Sequence, residues 1–461
     1  MSAPGITRSE VLRGAVAMAG LGMLGRVTGA TAARRAQQAR LGAPVQGVDL
    51  RALFRSMVVC GQRTLYVSAS GNDSHPGTPA APYRQIQRAV STAEPGDLIL
   101  VGPGTYDSVY LHEFAGSPTA WLGIMSLNDT VLPRCFAADG DVVAVNGSSY
   151  VGIYGFEISG RQTSPNRNGS GVSVYGNAHH IVVWQNTVHD FPGGGINCFD
   201  VNDRWGFGSH DMLDISFNTI HNTSHYSPSG TSGISIFASR DLTRGATWDG
   251  RYANRVVGNY IYNVQNLVPD SVAGYAYVTD GNAVSIDSLL TIHHYTKRVL
   301  IDGNLLVGCG GRAVHVNKSI NVDGVGNTGI GNLRTVSPAI SGGCEFDGTT
   351  NASVNYHGNV IFPRHTPNWR DTTSTYTANV VLGGSQAIDG TNIDRQTVGY
   401  RYMAGNLGDA QLLQGQNIEL FAPLRPDRVQ REAGALGYQT LGVGRRPAAL
   451  WAAGSLEPRR A

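Results

Sequence analysis

Lysine is almost missing from this chain of 461 residues, occurring only at Lys297 and Lys318. Charged residues reach 15% in total, with a formal net charge of +2, where an average soluble domain carries roughly 25% charged residues. So thin and balanced a charge excludes the basic footprint that holds nucleic acid. Cysteine is also scarce. Cys60, Cys135, Cys198, Cys309 and Cys344 are scattered without C-x-x-C spacing, and an odd number cannot all pair within one chain. Nothing in this spacing suggests a disulfide framework or a zinc site. Cys198 falls at an inward strand position and reads as a buried thiol. Beyond the N-terminal region no segment is apolar enough to span a bilayer, and long helix-forming stretches are few.

Glycine, in contrast, supplies 60 residues, close to twice the usual share of about 7%. With abundant Asn, Ser, Thr and Val, this is the profile of many short strands joined by tight turns. At the N-terminus Arg8 and Arg13 precede and flank the apolar stretch 14–24, and Ala30-Thr31-Ala32 offers a small-residue cleavage site. The expectation is an export leader over 1–33 and a secreted protein with no integral membrane segment once the leader is removed. Residues 34–62 read as a linker or N-terminal cap, 63–410 as the folded domain and 411–461 as a capping tail. Residues 82–93 (PYRQIQRAVSTA) have helical spacing and predict one short helix covering the first coil, because an open solenoid end exposes core and backbone.

The main signal is a repeat. Five segments run into an asparagine followed by apolar residues: HIVVWQN ending at Asn186, MLDISFN at Asn218, ANRVVGN at Asn259, RVLIDGN at Asn304 and SVNYHGN at Asn359. In a parallel stack these asparagines lie above one another at roughly 4.8 Å, and their amides can bond along the column. Their spacings are 32, 41, 45 and 55 residues, so the last gap has room for an extra turn, placed near Asn332. A second column comprises GVSVY (171–175), GINCF (195–199), GISIF (233–237), AVSID (283–287) and AVHVN (313–317). Positions two and four are apolar in every row. Strand side chains alternate faces, so the remaining positions form an outward stripe. The predicted fold is all-β, a parallel β-helix, with surplus residues leaving as loops at 201–211, 223–232, 238–252 and 263–281 to wall a groove over that stripe.

Three segments, LYVSASGND (65–73), PYRQIQRAV (82–90) and PGDLILVGPGTY (95–106), together with SSYVGIYGFEISG (148–160), closely resemble the opening of pectate-lyase-like β-helix proteins. The resemblance implies a right-handed coil and a secreted protein of the polysaccharide lyase or glycoside hydrolase type. The superfamily also holds epimerases and proteins without activity, so fold alone does not settle function. Its calcium-dependent lyases use clustered aspartates and a lysine base in an Asp-Asp-Gly-x-x-Asp-x-x-x-Lys run. Here Asp280, Gly281, Asp287 and Lys297 match that run only in outline.

Stacked in register, the outward stripe reads Ser173, Asn197, Ser235, Ser285 and His315. Beside it run Tyr175, Phe199, Phe237, Asp287 and Asn317, with Gly176, Asp200, Ala238, Ser288 and Lys318 at the next corner. Aromatic faces beside polar groups suit a sugar chain. Tyr175, Asn197, Phe199, Ser235, Phe237, Ser285 and Asn317 are therefore candidate substrate contacts; the alternative for the aromatics is packing under loops. Asp287, His315 and Lys318 fall on adjacent coils about 5 Å apart. For β-elimination of a uronate, His315 or Lys318 is the candidate base and Arg312 the cation on the carboxylate. For hydrolysis with inversion, Asp200 and Asp287, on the order of 10 Å apart, are the candidate carboxylates. Asp200 and Asp203, with Asp211 and Asp214 further on, are candidate calcium ligands. The adjacent pairs His179-His180 and His293-His294 read as solvated turn residues. The expectation is a polysaccharide-active enzyme, a uronate lyase placed ahead of an inverting glycoside hydrolase, with a non-catalytic carbohydrate-binding or surface-structural β-helix as the remaining class.

Overall fold

A computed structural model describes residues 49–162, 168–200, 208–350, 352–362, 370–377, 379–381 and 393–394. Among the described residues the coils build three parallel sheets, of eleven, eight and eleven strands, and a complete coil contributes one strand to each. Neighbours within a sheet come from successive coils, and the outcome is a right-handed parallel β-helix. We call the sheet of longest strands sheet I, the one that follows it in each coil sheet II, and the eight-stranded one sheet III. One coil thus runs Ala178–Trp184 in sheet I, Thr187–His189 in sheet II and Ile196–Cys198 in sheet III.

Alternation along the strands fills the interior. Val172, Val174, Ile196, Cys198, Ile234, Ile236, Val284 and Ile286 of sheet III are at most 1% exposed and belong to one core with residues of the other two sheets. Each such aliphatic side chain contributes roughly 1.5–3 kcal/mol relative to exposure. The same burial holds the Cys198 thiol above its ordinary range.

The corner between sheets I and II carries the asparagine ladder. The side-chain amides of Asn186, Asn218, Asn259, Asn304, Asn327 and Asn359 each donate to Oδ1 of the next asparagine, ending at Asn379, at 2.8–3.1 Å. Their backbone N–H groups donate to the same oxygens. The extra turn expected between Asn304 and Asn359 is present, but its ladder residue is Asn327. Asn332 instead accepts from Cys309 N and donates to the buried Glu345. The residue before each ladder asparagine from Asn186 to Asn359 is left-handed, as at Phe217 (φ 61°) and Gly258 (φ 68°). Glycine adopts that conformation without steric cost, and it turns the chain into the next sheet.

Two helices occur among the described residues. Helix α1 (Leu50–Met57) is capped by the Asp49 carboxylate, which accepts from Ala52 N at 2.9 Å. It lies along the outer face of sheet I, where Phe54 meets Tyr154 and Trp184 at centroid distances of 5.1 and 6.1 Å. A Cβ on Gly152 would stand 2.6 Å from the Phe54 ring, so this close approach requires glycine. Helix α2 (Ile86–Val90) buries Ile86 and Ala89 in the interior core beside the first strands, the position expected for the 82–93 segment. No helix among the described residues is long and apolar enough to cross a membrane.

Candidate active site

The predicted register of sheet III holds. Ser173 pairs with Asn197, Asn197 with Ser235, Ser235 with Ser285, and Ser285 with His315. These residues face away from the core, yet Ser173, Ser235 and Ser285 are only 1%, 9% and 6% exposed. Loops cover them, leaving a cavity of about 460 Å³ whose floor includes Ser173, Asn197, Ser235 and Ser285. Asn168, Ser229–Thr231, Val272 and Asp280 wall it, and Phe199 and Phe237 also line it. The walls are tied to one another: Ser227 Oγ donates to Asn168 Oδ1 at 2.9 Å, Val272 N to Pro228 O at 3.0 Å and Gly281 N to Thr231 O at 3.1 Å.

Loops 223–232 and 263–281 cover the stripe because they connect sheet II to sheet III. Loop 238–252 was expected there too, but it joins sheet III to sheet I and folds over the outer face of sheet I. Its Trp248 packs against Trp121 and His180. Of loop 201–211, residues 201–207, including Asp203, lie outside the described residues.

Four carboxylates line the cavity: Asp141, Asp200, Asp280 and Asp287. Asp141 accepts from Ser170 N at 2.8 Å, and burial raises its carboxyl above the usual range against the hydrogen bonds from Ser170 and Ser173. Asp280 accepts from Thr279 Oγ1 and Asn282 Nδ2, both at 2.8 Å. Burial, together with the like charge of Asp287, pushes it up to about 6; His315, Thr279 and Arg312 oppose that rise. Asp287 accepts from Ser288 Oγ at 2.8 Å and Asn317 Nδ2 at 3.1 Å. Asp200 is ion-paired with Nε2 of His293. His293 is therefore no solvated turn residue.

The remaining predicted residues are placed as follows. His315 continues the stripe one coil beyond Ser285, and its Nδ1 lies 2.6 Å from Oδ1 of Asp347. Arg312 is 8% exposed, pairs with the other oxygen of Asp347 and donates to Ala339 O at 2.9 Å. It is committed inside the protein and is not presented as a cation for a substrate carboxylate. Lys318 sits at a left-handed corner (φ 45°), exposed and outside the cavity lining. Asn317 bridges Asp287 and Thr349. Tyr175 stacks on Phe199 at 5.2 Å, so the aromatic column is partly self-packed while Phe199 and Phe237 still face the cavity. Asp141, Asp347 and Thr231 are the site residues that pattern reading passed over, and Asp280 was read only as part of the outline calcium-lyase run. Asp347 was findable, since it occupies the next row of the stripe opposite His315.

Of the expected calcium ligands, Asp203 lies outside the described residues, and the others are already paired or stand in another sheet. Asp200 is taken by His293, and Asp211 and Asp214 lie in sheet I. There Asp211 is buried against Lys297 at 2.7 Å and Tyr295 at 2.8 Å, and Asp214 against Arg255 and Trp184. The protein's own cations already neutralise them. Among the described residues no group of three or more His, Cys, Asp or Glu is arranged to hold a metal ion. Lys297, the lysine of the outline calcium-lyase match, is held by Asp211 and Asp241. His179 and His180, read as solvated turn residues, lie half-buried in the strand Ala178–Trp184 and bring their Nδ1 atoms to 2.9 Å, because His180 is left-handed (φ 54°) and breaks the alternation of faces.

Comparison with known proteins gives the fold a context. Residues 69–115 match a family described as a protein of unknown function, DUF1565. No curated protein matches in sequence. A solved complex of XylC with xylose is 11% identical, with 72% of this chain and 70% of that chain covered and a TM-score of 0.50. Pectate lyase Pel9A is 14% identical, with coverages of 73% and 81% and a TM-score of 0.41. The GH136 lacto-N-biosidase from Eubacterium ramulus is 14% identical, with coverages of 69% and 56% and a TM-score of 0.39. The likeness to XylC is one of overall fold.

Proposed function

We propose that this protein cleaves a glycan by hydrolysis in the cavity over sheet III. The observation that carries the proposal is the pair Asp280 and Asp287, two carboxylates lining one cavity with different surroundings. Asp280, held up to about 6, retains a proton that a carboxylate in water has lost. It is the general acid that protonates the leaving oxygen. Asp287, hydrogen-bonded to Ser288 and Asn317, is the partner that activates water or attacks the sugar. Phe199 and Phe237 offer apolar faces to sugar rings, and Ser173, Asn197, Ser235 and Ser285 offer groups for hydroxyls.

This reading moves hydrolysis ahead of β-elimination, which the sequence had favoured. A lyase needs a cation on the uronate carboxylate, and Arg312 is occupied by Asp347 while Lys318 lies outside the lining. One observation keeps elimination as the second reading. Asp347 fixes Nδ1 of His315, which frees Nε2 of that ring to act as a base. In keeping with the leader expected over 1–33, which lies outside the described residues, we place the enzyme outside the cell.

The test is turnover of a panel of neutral, amine-bearing and uronate oligosaccharides, followed by reducing ends and ultraviolet absorbance together. Hydrolysis gives reducing ends alone; elimination also gives an absorbing unsaturated uronate. Loss of turnover in both Asp280→Asn and Asp287→Asn, with the fold retained, supports the assignment.

A further inference from the structure

Hydrolysis needs two carboxylates, and the cavity has four. The surplus pair differs in its partners. Asp200 already has a basic neighbour in His293. Asp141 is held by Ser170 N–H and the Ser173 hydroxyl, both neutral groups. No lysine or arginine occurs among the described residues that line the cavity. Asp141 is half-buried, and a carboxylate drawn partly out of water without a counter-charge is costly to hold there.

A ligand can supply what the walls do not. A uronate would add an anion beside Asp141, Asp200 and Asp287, and an N-acetylated sugar would bring Asp141 no counter-charge. A protonated amine on the sugar would pair with it. A second feature of the wall, independent of the acids, also awaits a polar group. Thr231 is 7% exposed and lines the cavity, and its Oγ1 has no hydrogen-bond partner among the described residues. Buried hydroxyls are seldom left so.

We propose that the glycan bound here carries free amines, a cationic hexosamine-containing oligosaccharide, with Asp141 receiving an ammonium group at the sheet III floor. The proposal rests on the cavity being the glycan site described above, and it names the substrate class.

Calorimetric titration of the whole protein carrying Asp280→Asn tests it, because bound ligand then survives the measurement and a carboxyl that is largely protonated at mildly acidic pH is replaced by a neutral group. The probes are glucosamine oligomers, their N-acetylated counterparts and oligouronates of equal length. The free-amine oligomer should bind about tenfold more tightly than its acetylated form, the ratio that one modest ionic contact supplies. Adding Asp141→Asn should remove most of that preference, and high salt should shrink it. If Asp141→Asn does not fold, the salt dependence and the acetylation ratio carry the test. Equal binding of the acetylated oligomer, or tighter binding of the oligouronate, overturns the proposal. Tight binding of the amine oligomer that the unsubstituted protein never cleaves would contradict the hydrolase reading instead and leave the substrate class standing. Cleavage of neutral glycans with no preference for amines would do the reverse.

Discussion

Asp347 holds His315 from behind, Oδ1 to Nδ1 at 2.6 Å, while its second oxygen takes the Nε–H of Arg312. One carboxylate of sheet III thereby fixes a ring one row beyond the cavity floor and neutralises a buried guanidinium. His315 and Arg312 together keep Asp347 below the usual carboxylate range, against its burial.

Removing that carboxylate strands Arg312. Asp347→Ala should destabilise the fold by about 3–5 kcal/mol, the cost of a buried charge that has lost its partner. Urea denaturation measures this. A loss under 1 kcal/mol would mean that Arg312 has another partner or escapes to water.

Asp280 as general acid predicts an alkaline limb in the activity profile. Turnover should fall as pH rises through about 6, where the carboxyl loses its proton. Asp280→Asn should lower kcat by at least about a hundredfold and abolish that limb. A profile unchanged in shape would move the acid role elsewhere.

Glu345 is fully enclosed and held by Asn332, and burial pushes it up to about 8 from 4.5 against those hydrogen bonds. Its folded-state value exceeds the unfolded one, so its contribution is complete below about 4.5 and is lost as pH rises through about 8. The melting temperature should therefore decline across that window. Glu345→Gln should flatten the decline, which thermal scans at several pH values would show.

In the ladder, Asn259 accepts from Asn218 N and Asn218 Nδ2 and donates to Ile215 O and Asn304 Oδ1. Asn259→Ala leaves two buried donors of Asn218 unpaired, which should cost roughly 2–5 kcal/mol. Asn259→Asp can still accept but has lost the two N–H donors. Equilibrium unfolding of the two variants separates the accepting role from the donating one.

The fold was legible because its two strongest constraints recur. The Val-Gly-Asn of Val257, Gly258 and Asn259 marks the left-handed corner and the ladder step at once, and the apolar second and fourth positions of GISIF fix which face enters the core. The same tripeptide at Val325, Gly326 and Asn327 carried the missing step. The floor of the cavity was legible for the same reason, since Ser173 to His315 follow strand register. What closes the cavity obeys no period. Thr231 and Asp280 sit on loops whose return over sheet III depends on contacts such as Gly281 N to Thr231 O. In sequence Arg312 read as the cation for a carboxylate and Lys318 as a candidate base beside it. Burial against Asp347 separates one from the other, and only packing reveals it.

The most direct measurement of the central claim is product analysis after incubation of the protein with an amine-bearing glycan, run beside Asp280→Asn and Asp287→Asn. The account predicts new reducing ends without ultraviolet absorbance, and none from either variant. Undiminished cleavage by both variants, or an absorbing unsaturated product, would contradict it.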